Sequence, residues 1–87
     1  MRRRVVVHGR VQGVFFRDTT RRLALELGVS GWVRNTWEGT VEAVFEGAPE
    51  AVERLVEFAH HGPAGALVER VEVFDEDEEG LGGFSVR

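Results

Sequence analysis

The sequence predicts an α+β domain with two helices packed on one face of an antiparallel sheet. Three observations predict it. A short β-branched run lies near the start, two segments carry apolar residues at helical spacing, and a strictly alternating segment lies between them. Taken in order, the elements run strand, helix, strand, strand, helix, strand.

RRVVVHG (3–9) is short and rich in β-branched residues, and its VVV run suits a central strand covered on both faces. FFRDTTRRLALELG (15–28) is helical: Phe16, Thr20, Leu23, Ala24 and Leu27 share one face, and Gly28 suits its C-terminal stop. VSGWVRN (29–35) reads as a second strand with Trp32 packed within it, and TWEG (36–39) as a turn in which Trp37 covers the sheet edge or, alternatively, shields a ligand. TVEAVFEG (40–47) alternates, with Val41, Ala43 and Phe45 on one face and Glu42 and Glu46 on the other. APEAVERLVEFAHHGP (48–63) is a second helix. Pro49 fits its first turn, Val52, Leu55, Val56 and Ala59 form its stripe, and His60 and His61 occupy its last turn, where cations are favoured. ALVERVEVFDE (66–76) is a fourth strand. The acidic run 75–79 reads as a solvated, aggregation-resistant edge, and FSVR (84–87) as a short edge strand.

This order is the split βαβ, ferredoxin-like arrangement. Right-handed crossover makes the first two strands run the same way, with segment 40–47 paired between them. Both then end at one edge of the sheet. The segment after the first strand, GRVQGVFFR (9–17), and the residue closing the second, Asn35, therefore converge.

Composition narrows the function. At 87 residues the chain is read as one small domain, 1–87, with a modest core. There is no cysteine, which excludes disulfides, thiolate nucleophiles and zinc–thiolate sites. No apolar run approaches the ~20 residues of a membrane span, and VVV is shorter than the ~7–15 residues of a signal-peptide core. The expectation is a cytoplasmic monomer with no membrane partner. A net charge of −4 argues against a nucleic-acid partner. Every basic residue other than histidine is arginine, which fits a GC-rich genome or a heat-adapted host. The three histidines lack metal-ligand spacing, so no metal site is expected.

GRVQGVFFR poses a question of charge. Arg17 sits at a helix start, where a cation is disfavoured by the dipole. Backbone N–H groups of a glycine-bracketed turn entering a helix have no intrahelical partner and can form an anion-binding nest. An anion held there would also suit the planar fork of Arg17. The plainer alternative is a surface arginine whose stem covers the core, and Asn35 has one too, as a turn cap. Asp18, in the first helical turn, reads as a dipole-compensating acid.

GRVQGVFFR (9–17) and GWVRNTWEGTV (31–41) together meet the patterns G-x-V-Q-G-V-x-F-R and G-[FYW]-[AVC]-x-N-x-x-x-G-x-V. GPAGALVERVEV (62–73) fits the passage into the fourth strand. On these residues the chain resembles the acylphosphatase family over nearly its whole length, with the tail 75–87 less characteristic. The resemblance implies hydrolysis of acyl phosphates to carboxylate and inorganic phosphate, with neither metal nor cofactor. By position, Arg17 would bind the phosphate and Asn35 would orient the water. The loop Val11, Gln12, Gly13, Val14, Phe15 and Phe16 would supply backbone N–H groups. The alternative is a non-catalytic phosphate-ligand binding module, or a carbamoyl-phosphate-handling domain like those at the front of larger carbamoyl-transfer enzymes. An RNA-binding sheet of this topology would need aromatics on its central strand, which RVVVHG lacks.

Overall fold

A computed structural model describes all residues, 1–87. The chain runs β1 (Arg2–Arg10), α1 (Phe16–Leu27), β2 (Ser30–Asn35), β3 (Val41–Glu46), α2 (Pro49–Ala59), β4 (Leu67–Glu76) and β5 (Phe84–Val86). The sheet order is β4-β1-β3-β2-β5. β1 and β3 lie at its centre, and β3 separates β1 from β2 as the topology requires.

The sheet is mixed, not wholly antiparallel, because β5 pairs parallel to β2. After β4 the chain crosses the end of the sheet before it turns into β5. The N–H groups of Glu79, Gly80 and Leu81 donate to the Glu46 carboxylate during that crossing, at 2.9, 2.9 and 3.0 Å. Phe84 then stacks on Phe45, with ring centroids 6.1 Å apart.

Both helices bury their stripes against the sheet. Phe16, Thr20 and Ala24 of α1 and Val52, Leu55 and Ala59 of α2 are buried with Val5, Val7, Val33, Val41, Ala43 and Phe45. Leu23, Leu27 and Val56 pack at the margin. Phe16 also meets Phe58 of α2 at 5.7 Å, which locks the first residue of α1 between the helices. Burying one such side chain contributes roughly 1.5–3 kcal/mol.

α2 is shorter than its sequence suggests. His60 and His61 donate N–H bonds back to Glu57 and Phe58, which tightens the end, and Gly62 N–H returns to the Phe58 carbonyl at 2.7 Å. The histidines therefore lie just past the helix rather than in its last turn. Their rings still reach one turn back, to Val56 O and to Glu57.

The opposite sheet face is covered by charge. Arg2 bridges Glu76 and Glu46, Arg4 bridges Glu76 and Glu42, and Arg34 also meets Glu42. Trp32 packs on this face with the Arg87 guanidinium 4.5 Å from its ring, and Arg4 lies 4.3 Å over Phe74. Within the acidic run Glu76 is held between two arginines, so the run is only partly a solvated edge.

Candidate active site

The site forms where β1, β2 and β5 end. A bulge between His8 and Gly9 interrupts the β1–β4 pairing just before the chain leaves the strand. Such bulges re-aim a strand end. Gly9 has φ 131°, and a Cβ there would stand 2.1 Å from the Leu67 carbonyl oxygen, so only glycine lets the strands approach this closely.

Beyond the bulge, residues 11–15 form a loop with two left-handed positions, Gly13 at φ 75° and Phe15 at φ 63°. Alternation of this kind turns successive N–H groups to one side. Among the backbone hydrogen bonds outside helices and strands, none is donated by residues 11–15. The N–H groups of these residues therefore have no backbone acceptor of their own at the start of α1.

A cleft of about 470 Å³ opens there, lined by Val11, Gly13, Phe15, Phe16, Arg17, Asp18, Asn35 and Val86. Arg17 and Asn35, far apart in sequence, thus share one cavity. Arg17 Nη1 also donates to the Arg87 carbonyl at 3.4 Å. Asp18 is not free to oppose an anion, because Arg22 one turn on holds it at 2.7 Å.

The remaining loop residues point elsewhere. Val14 packs against the core. The Gln12 side chain turns to the β2–β3 turn and, with Asn35, Thr36 and Trp37, borders a small adjoining recess. Trp37 does not cover the sheet edge: it is 102% exposed, because it sits at the tip of a tight turn that projects past the last strand pair. His8 lies on the charged face, 2.7 Å from Glu72, whose carboxyl is held below its ordinary range chiefly by that bond. No three His, Asp or Glu side chains cluster so as to hold a metal ion.

Sequence reasoning missed Val86 and the left-handed Phe15. A three-residue strand carries too little pattern to be placed, and a backbone angle leaves no mark in composition.

The acylphosphatase family model matches residues 3–86. An acylphosphatase of Rubrobacter xylanophilus is 61% identical over 97% of this chain and 77% of its own length. One from Haloarcula marismortui is 57% identical over 99% of this chain and 94% of its own. The structure of a Coxiella burnetii acylphosphatase superposes with TM-score 0.94 at 40% identity, covering 99% of this chain and 90% of that one. A family match over residues 3–86, close relatives and a shared fold make this chain a member of the acylphosphatase family, a hydrolase of acyl phosphates.

Proposed function

We propose that the cleft holds the phosphoryl group of an acyl phosphate, and that Arg17 and Asn35 do the chemistry. One observation supports this most: Arg17 and Asn35 line the same cavity as a loop whose backbone donors lack backbone acceptors. The N–H groups of residues 11–16 and the Arg17 guanidinium neutralise three phosphoryl oxygens. The Asn35 carboxamide orients a water in line with the bond to the acyl oxygen. The water oxygen attacks phosphorus, the P–O bond to the acyl group breaks, and the carboxylate departs with the bonding pair. The water's proton passes to a phosphoryl oxygen.

No strong general base is needed, and none lines the cleft except Asp18, which Arg22 holds. Such a site cannot protonate a poor leaving group. It therefore favours a mixed anhydride, whose leaving group is a stable carboxylate, over a phosphate monoester. We place the protein in the cytoplasm as a monomer that acts without metal. It uses small acyl phosphates, with no nucleic-acid or membrane partner.

The test is phosphate release from benzoyl phosphate with EDTA present, against p-nitrophenyl phosphate. Wild type hydrolyses the anhydride, spares the ester and ignores EDTA. Arg17→Ala loses both binding and turnover, whereas Asn35→Ala loses turnover by about 10²–10³ while inorganic phosphate still binds. Phosphate binding without turnover in wild type would instead mark a binding module.

A further inference from the structure

The mechanism above uses Gln12 only through its backbone N–H, yet its side chain makes a specific connection. Nε2 carries two protons, and both are engaged. One goes to the Thr36 carbonyl oxygen and one to the Thr40 carbonyl oxygen, each at 2.9 Å. Those carbonyls stand on the two arms of the β2–β3 turn. Thr36 N–H donates across it to Thr40 O at 2.9 Å, and the two threonine hydroxyls meet at 2.6 Å. Asn35 directly precedes Thr36 and pairs with Val41, which directly follows Thr40. A single carboxamide thus joins the loop that carries the anion-facing N–H groups to the hairpin that carries Asn35.

The choice of group is chemically narrow. Two carbonyl oxygens a short way apart need two protons from one small donor. An ammonium or guanidinium would supply them but would add charge beside the phosphate. A carboxylate of the same shape would supply none and would face two carbonyl oxygens. A carboxamide is neutral and carries both protons on one atom.

We propose that Gln12 is a positioning residue: its side chain fixes the distance between the phosphate cradle and the Asn35 carboxamide. This rests on the assignment of Arg17 and Asn35 given above. Without the tie the cradle and Arg17 are intact, so the substrate still binds, but the water is no longer aligned with the breaking bond. Misplacement on the scale of 1 Å costs about 10²-fold in rate.

The experiment is a double-mutant cycle on benzoyl phosphate hydrolysis with Gln12→Met, which keeps the shape and the backbone N–H but has no side-chain donor. The expected result is a kcat lowered about 10–100-fold, with KM and inhibition by inorganic phosphate within about twofold of wild type. In the Asn35→Ala background Gln12→Met should cost nothing more, since the residue it aligns is gone. If Q12M keeps wild-type kcat and only melts lower, the tie is purely structural and the proposal fails. It fails equally if the Q12M and N35A losses add, or if KM rises in step with the loss. A wild-type rate for Asn35→Ala alone would instead overturn the assignment beneath it. Should Q12M not fold, Gln12→Leu serves the same cycle, because its side chain is neutral and also offers no proton.

Discussion

Phe15 is the only non-glycine residue with positive φ, and its ring is 79% exposed. A left-handed conformation costs a residue with a Cβ roughly 1–2 kcal/mol, and this ring recovers little of it through burial. Phe15→Gly is therefore expected to stabilise the fold by up to about 1 kcal/mol, while Phe15→Ala, which keeps the Cβ, brings no such gain. Denaturant midpoints of the three proteins test this, and equal loss in both variants would show that the ring packs. That Arg17 and Asn35 border one cleft was legible in the sequence, because the handedness of one crossover brings both to the same sheet edge. The conformation of Phe15 was not, because nothing in FFR marks it. Nor was the reach of Gln12, whose partners lie 24 and 28 positions away.

Among the elements, β3 shows how far a binary pattern carries. Its alternation correctly puts Val41, Ala43 and Phe45 under the helices. Yet Val44 and Glu46, on the other face, are buried as well. Alternation reports which residues face the apolar core; it does not report what covers the other side. Here that cover is made of arginine side chains, ion pairs and Trp32, and their partners are set by cross-strand register. The bulge at Gly9 is the most exacting junction. Gly9→Ala would drive its Cβ into the backbone of β4 where β1 turns toward the cleft. The expected loss is about 3 kcal/mol of stability, with activity falling in the surviving folded protein because the loop is re-aimed. Urea denaturation with kinetics at low temperature would read both effects, and a variant of unchanged midpoint would mean that β4 can yield. The parallel placement of β5 was illegible for a different reason, since it depends on where the crossing loop is held and FSVR alone is too short to encode a direction.

Over the whole molecule the charges are divided between two tasks. The cleft gathers donors at one end of the sheet, while the carboxylates of the charged face are tied up elsewhere. Glu46 is held below the usual carboxylate range, first by the Glu79 N–H and then, against its burial, by Leu81, Arg2 and Gly80. Glu76 is also lowered, the bonds from Arg2 and Arg4 outweighing its desolvation. Each group is more acidic in the fold than in the unfolded chain, so its stabilising effect is full above the unfolded value. It fades as pH falls through the folded one. The melting temperature should be level from pH 7 to about 5 and drop below about 4. Glu46→Gln should lower it at pH 7 and flatten the acid slope. Calorimetry across that range decides; a level profile down to pH 3 would show that these contacts add nothing.

Arg2 and Arg4 each reach two carboxylates borne by different strands, so they stitch β3, β1 and β4 together sideways. A lysine, with one compact ammonium, could serve one such carboxylate well but not both in the same geometry. The preference for arginine is therefore unequal in its meaning along the chain. At exposed Arg21, exchange with lysine is open to neutral drift, whereas at Arg2 and Arg4 it would unpick a seam. Whatever first filled these positions with arginine, the fold has since made two of them hard to reverse.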